Sequence, residues 1–218
     1  MPRGPRLDAP GVLHHVMVRG IERCAIFRDD RDRADFVDRV AALAAAKGWT
    51  VVAWALLPNH AHLLVRSGRR PLAAAMRSLL TGYAGAFNRR HTRHGHLFQN
   101  RYKSVVVEDD PYLLELARYI HLNPLRAGLV RDPTALDRYR WTGHSTVLGR
   151  VQRPWQAGDA ILGQFGTQPG PAPVSGVRGR GRPAGPPARA AGRRAETECR
   201  RVEGPAGAPA GARAAGLR

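Results

Sequence analysis

Cysteine is nearly absent from this chain of 218 residues: Cys24 and Cys199 stand far apart and in unlike contexts. Two such residues build neither a disulfide framework nor a thiolate zinc site, which fits a reducing compartment. Long apolar runs are also missing. No stretch approaches the ~18 apolar residues of a membrane span, and the opening MPRGPRLDAPG lacks the apolar centre of a signal peptide. The expectation is a cytoplasmic protein with no membrane partner. Acidic side chains are scarce: 17 Asp and Glu face 35 Lys and Arg, leaving a net charge of +18 and a pI near 11.5. An excess of that sign favours polyanions such as DNA, RNA or an acidic membrane surface; a nucleoid-associated place in the cytoplasm is the expectation if the polyanion is DNA. Part of the charge is compositional, because Arg, Ala, Gly and Pro are abundant together. It therefore supports nucleic-acid binding and says nothing of fold.

What the chain does have divides near residue 167. The last 52 residues hold 30 Gly, Pro or Ala, no aromatic residue, and ten arginines against three glutamates. Such a segment buries too little apolar surface to offset its ordering entropy, so 167–218 reads as a disordered tail. Residues 1–166 read as the folded part, its last stretch, 151–166, a poorly defined extension. Residues 1–166 carry 25 basic and 14 acidic side chains, so the folded part is basic in its own right.

The folded part alternates strand-like and helix-like segments. VLHHVMVRG (12–20) is short and β-branched, and ends at Gly20. From Asp29, apolar Phe36, Val37, Val40, Leu43 and Ala44 recur at helix spacing behind an acidic start, with Gly48 as the C-terminal signal. TVVAWALL (50–57) is a buried-type strand, Pro58-Asn59 a turn, and HAHLLVR (60–66) the return arm of a hairpin. A second helix is expected over 71–91, weakened by Gly82 and Gly85, and a fourth strand over 102–108. A third helix follows over 110–123, with Asp110 as cap, Pro111 at its first position and Pro124 as its stop. The order β-α-β-β-α-β predicts an α+β, ferredoxin-like antiparallel sheet with helices on one face, plus the added helix.

Within LLPNHAHLLV (56–65), His60 and His62 stand two apart. On a strand they share one face with Leu64, while Ala61, Leu63 and Val65 share the other. Two neighbouring imidazoles suit a divalent cation, but by spacing alone the signal is weak and the plainer reading is a solvated pair beside a turn. On the third helix, at about 100° per residue, Tyr112, Tyr119 and Asn123 fall nearly in line, beside an apolar stripe of Leu113, Leu116, Ala117 and Ile120. Tyr119 then reads as a presented side chain or a core-edge aromatic, and Asn123 as a ligand amide or a C-terminal cap.

LLPNHAHLLV, together with FNRRHTRHGHLFQNRYKSVVVEDDPYLLELARYIHLNPLRAGLV (87–130), resembles the HUH-type single-tyrosine transposases. These are insertion-sequence-200-like enzymes, and the nearest branch is the REP-associated tyrosine transposases of bacteria. GVLHHVMVRGIERCAIFRDD (11–30) and YRWTGHS (139–145) carry the same likeness, which spans about residues 8–150. The resemblance implies a homodimeric enzyme that cuts and rejoins single-stranded, hairpin-associated DNA. It implies Tyr119 as the nucleophile, forming a 5′-phosphotyrosine bond, and His60, His62 and Asn123 as ligands of a divalent metal, Mg²⁺ or Mn²⁺. Two departures stand out. Ala61 fills a position that is often bulky, and family character fades after about residue 150.

The segment 87–103 supplies Arg89, Arg90, Arg93, Arg101 and Lys103 with Phe98 and Tyr102 among them. Cations contact phosphates and aromatics stack on splayed bases, so these residues, with Arg126, are the expected DNA contacts. A solvated basic loop is the plainer alternative. His91, His94 and His96 read as DNA contacts or surface, and His14 and His15 as structural or DNA-proximal. Two rival functions remain: a domesticated DNA-hairpin-binding protein without catalysis, and an RNA-binding protein.

Overall fold

The computed structural model describes residues 9–46, 48–107 and 110–163, the side chains of Asp110 and Pro111 excepted. The expected tail at 167–218, and the expected roles of Asp110 and Pro111, lie outside the described residues. Four strands, β1 (Leu13–Arg19), β2 (Trp49–Leu57), β3 (His60–Ser67) and β4 (Lys103–Val107), form one antiparallel sheet in the order β2-β3-β1-β4. Helix α1 (Asp30–Ala45) links β1 to β2, α2 (Leu72–Arg90) links β3 to β4, and α3 (Asp110–Arg126) follows β4. This is the expected α+β, ferredoxin-like arrangement.

The strand period of two builds two cores, one on each face of the sheet. Ala61, Leu63 and Val65 of β3 join Val16, Val18, Trp54 and Leu56 beneath α1 and α2, where Phe27, Phe36, Tyr83 and Phe87 pack edge to face or tilted. Leu13, Ala53, Ala55, Leu57, Leu64 and Val107 face the other way and receive Leu113, Leu116, Ala117 and Ile120 of α3. Burying side chains of this kind stabilises by roughly 1.5–3 kcal/mol each for the larger ones. So α3 is seated firmly, and it lies on the face opposite α1 and α2. The sequence pattern predicts helices on one face plus an added helix, and the apolar stripe of that helix does not say which face it covers.

Local chemistry explains most helix ends. The Asp29 carboxylate accepts from the Asp32 amide at 2.8 Å to cap α1. The helix ends at Ala45, capped by Ala46, and Gly48 lies two residues further on, its N–H donating to the Leu43 carbonyl at 3.0 Å. The third helix corrects an expectation: it does not stop before Pro124 but runs through it to Arg126. Pro124 has no N–H to give the Ile120 carbonyl, yet the turn beyond closes on its own. Ala127 donates to Asn123 at 2.8 Å and Leu129 to Pro124 at 2.9 Å. Gly128, at φ 69°, then supplies the left-handed residue that ends the run.

Three short helices have no counterpart in the sequence reading: α4 (Pro133–Arg138), α5 (His144–Val147) and α6 (Asp159–Leu162). Between them the chain lies along the outer edge of β2. Leu56 donates to Trp141, Gly143 to Trp54 and Ala157 to Val51, at 2.8–2.9 Å. The Trp54 indole N–H reaches Gln156 Oε1 at 2.9 Å, and Gln156 Nε2 donates to the Gly143 carbonyl at 3.1 Å. This covers one edge of the sheet. The opposite edge, β4, has no strand beyond it among the described residues, and Val105 there is 56% exposed.

Candidate functional site

The Pro58-Asn59 turn delivers His60 and His62 onto the face of β3 that α3 covers. On the neighbouring strand Arg19 pairs with His60, Met17 with His62 and His15 with Leu64. His15 thus lies diagonally beside His62, with 3.0 Å between His15 Nε2 and His62 Nδ1 and the rings stacked at 5.2 Å. The rings of His60 and His62 are also 5.2 Å apart, edge to face.

Helix α3 lays Tyr119 over this group. Its ring centre is 6.0 Å from His62 and 6.5 Å from His15, nearly perpendicular to both. Tyr119 is 41% exposed, so one side meets the histidines and the other meets solvent. Tyr112, about two turns earlier on the same line of the helix, is out in solvent. The Arg126 guanidinium lies 5.2 Å from the Tyr119 ring centre. Asn123 is buried, and its Nδ2 donates to the Tyr119 carbonyl at 3.0 Å, one turn back along α3. That bond fixes the amide: the nitrogen is spent inside the helix and Oδ1 is left as an acceptor.

Burial sets the charge state of the histidines. Desolvation first, then the Arg19 charge, lowers the His60 pKa to about 4. Desolvation, followed by the charges of His15, His60 and Arg19, lowers that of His62 to about 3. Burial lowers His15 as well. All three rings are neutral near pH 7, and a neutral imidazole keeps one lone pair for a cation. Two such nitrogens, were the Asn123 amide oxygen to join them, would make a mixed N/O donor set. Such a set would suit Mn²⁺ at least as well as Mg²⁺.

A second cluster lies elsewhere. Asp29, Asp32 and His91 bring ligand atoms within 4.8 Å of one another. Asp32 is fully buried, and donors already fill its carboxylate. Arg90 Nη1 pairs with Oδ1, the Arg28 amide donates to Oδ2 at 2.9 Å, and His91 Nε2 stands 3.0 and 2.9 Å from the two oxygens. The cluster ties the start of α1 to the end of α2.

The expected DNA contacts fall into three places. Arg89 is exposed at the end of α2, while Arg90 is held by Asp32 and Asp35. Arg93 donates to Asn88 at 3.1 Å. Phe98, Arg101 and the buried Tyr102 line a groove of about 790 Å³ between α2 and the loop before β4, and Lys103 follows, exposed. Arg126 stands apart from these, beside Tyr119. His94 and His96 are exposed. Neither His15 nor Asn59 stands out as a site residue in the sequence alone. The signal for His15 was its parity: on a strand paired with β3, an odd-numbered β1 residue faces the same way as His62.

Over residues 10–123 the sequence matches the family described as "Transposase IS200 like". The chain belongs to that family. The match ends at Asn123 and so spans His15, both histidines of β3 and Tyr119. Among solved structures, a REP-associated tyrosine transposase bound to a REP hairpin shares the fold, with a TM-score of 0.57 and 15% identity, covering 72% of this chain and 90% of that one. A candidate transposase from Deinococcus radiodurans R1 is 19% identical over 55% of this chain and 95% of its own, with a TM-score of 0.37. No curated protein matches the sequence. This IS200-like transposase is thus a DNA-acting protein by family. Among its described residues no helix is long and apolar enough to cross a membrane.

Proposed function

We propose that this transposase cleaves and rejoins single-stranded, hairpin-associated DNA through a covalent bond to Tyr119. The observation that carries the reading is the meeting of α3 and β3. A half-exposed tyrosine stands 6.0 Å, ring to ring, from His62, the inner member of a neutral histidine pair, in a chain of the IS200-like family. The Tyr119 oxygen attacks the scissile phosphorus, the bond from phosphorus to the 3′ oxygen breaks, and the tyrosine hydrogen ends on the released 3′-OH. One phosphodiester replaces another, so the energy of the cut linkage is kept for joining a second end without ATP.

His60, His62 and Asn123 would hold a divalent cation, Mg²⁺ or Mn²⁺, which when bound supplies Lewis-acid polarisation of the phosphate. The Tyr119 ring contacts Arg126, His62 and His15, which orient it. The basic surface of Arg89, Arg101, Lys103 and Arg126, with the groove at Phe98 and Tyr102, offers phosphate and base contacts. A REP hairpin is the partner of the structural relative, which supports hairpin DNA as the substrate class here. The open β4 edge supports pairing of two copies into a homodimer.

The test is the chemistry of the two products from a hairpin oligonucleotide with a single-stranded flank. A 3′ end open to terminal-transferase extension, with the other fragment linked to protein, is expected. Products with a free 5′ phosphate would overturn the tyrosine mechanism. Tight hairpin binding without any cut would point to the domesticated binding protein.

A further inference from the structure

Each histidine of the pair has its Nδ1 engaged, and for His60 the hydrogen bonds say which atom carries the hydrogen. Asn59 Nδ2 donates to the Arg23 carbonyl at 3.1 Å, so Oδ1 is the atom turned to His60 Nδ1, at 2.6 Å. An amide oxygen only accepts. His60 therefore carries its hydrogen on Nδ1 and leaves Nε2 bare. The Arg23 carbonyl is itself set by a tight 3-10 turn (Ile21–Arg23) in which Glu22 and Arg23 adopt φ of 51° and 61°. A side chain on Gly20 would collide with the Cys24 carbonyl, so that turn depends on glycine at its start.

His62 meets His15 instead. Two neutral rings across the 3.0 Å contact from His15 Nε2 to His62 Nδ1 share a single hydrogen. With the hydrogen on His62, its Nε2 is free to bind a cation and His15 is the acceptor. With the hydrogen on His15, His62 carries its own hydrogen on Nε2 and is closed to a cation through that atom. We propose that Asn59 and His15 are positioning residues that accept the Nδ1 hydrogens of His60 and His62, presenting both Nε2 lone pairs to the divalent cation. This rests on the cation reading given above. Orienting partners of this kind typically change metal affinity by ~10–100-fold when removed.

The tautomers are measurable in the full-length, metal-free protein by long-range proton–nitrogen NMR near pH 7.5, followed by Mn²⁺ titration of the same sample. The expected spectrum has His15, His60 and His62 all protonated on Nδ1, and Mn²⁺ broadens His60 and His62 first. His15→Phe should move the His62 hydrogen to Nε2 and weaken Mn²⁺ binding by about 10–100-fold. His15→Gln, which restores an acceptor oxygen, should recover most of the affinity. Asn59→Leu should weaken Mn²⁺ binding similarly and Asn59→Asp should not, with circular dichroism confirming that each variant is folded. An Nε2-protonated His62 in the unaltered protein, or His15→Phe binding Mn²⁺ as tightly as the parent, overturns the positioning role while leaving the cation site standing. Failure of Mn²⁺ to broaden His60 and His62 in the unaltered protein overturns the cation site itself.

Discussion

Replacing Tyr119 with phenylalanine removes one oxygen and should separate chemistry from folding. The ring contacts with His62, His15 and Arg126 survive the change, since they involve the ring face and edge. Among the described residues nothing hydrogen-bonds to the Tyr119 hydroxyl, and the residue is 41% exposed. The stability change should therefore stay within about 0.5 kcal/mol, the range of surface substitutions. For a domain of this size that moves the melting temperature by about 2 °C or less. Tyr83 supplies the internal control. Its hydroxyl is buried and donates to the Ile26 carbonyl, so Tyr83→Phe should cost about 0.5–1.5 kcal/mol or more and spare the chemistry. The assay pairs thermal melts followed by circular dichroism with SDS gels of protein incubated with labelled hairpin DNA. Tyr119→Phe should melt like the parent, bind the hairpin in a native gel and yield no SDS-resistant band. A variant that melts several degrees lower would refute the presented-tyrosine geometry. One that still forms the band would refute the nucleophile assignment.

Three further outcomes follow from the same contacts. Asp32→Ala leaves Arg90 and His91 without their buried partner and should destabilise the fold by about 3–5 kcal/mol in urea titrations; a loss of Mn²⁺ binding with no loss of stability would instead make that cluster a metal site. Burial lowers the pKa of both His62 and His121 to about 3, so below pH 6.5 the unfolded chain binds protons that the folded chain refuses. Stability should be flat above pH 7 and fall on acidification from about pH 6.5, with a slope of up to about 1.4 kcal/mol per unit for each histidine. His121→Leu should flatten the profile, and a pH-independent midpoint between 7 and 4.5 would contradict it. Gln156→Leu removes both the acceptor of the Trp54 indole and the donor to Gly143, and should cost about 1–3 kcal/mol by chemical denaturation; an unchanged midpoint would show that residues 141–157 do not hold the β2 edge.

The order of strands and helices was legible because its signals are local. Period-two alternation in HAHLLV puts His60 and His62 on one face, and the α3 stripe of Leu113, Leu116, Ala117 and Ile120 announces which side meets the sheet. Features that depend on partners distant in sequence were not legible. Arg90 reads as a free cation until Asp32, 58 residues earlier, is folded against it. The pairing of residues 141–157 with β2 leaves no periodic trace, since single bridges at Thr142 and Gln156 replace a strand. The extension of α3 past Pro124 depends on carbonyls that Ala127 and Leu129 satisfy, which no proline rule anticipates. The His15–His62 contact was half legible: both residues stood on strands, but the register that makes them diagonal neighbours exists only in the sheet.

The most direct test of the central claim is to locate the DNA on the protein. Full-length protein is incubated with hairpin DNA and Mn²⁺ or Mg²⁺, or with chelator, then digested with nuclease and trypsin and analysed by mass spectrometry. Trypsin cutting after Arg118 and Arg126 releases YIHLNPLR, one peptide holding Tyr119 and Asn123. The account predicts a nucleotide on the tyrosine of that peptide, present with metal and absent with chelator. An unmodified YIHLNPLR in every sample, with the same hairpin bound in a native gel, would contradict it.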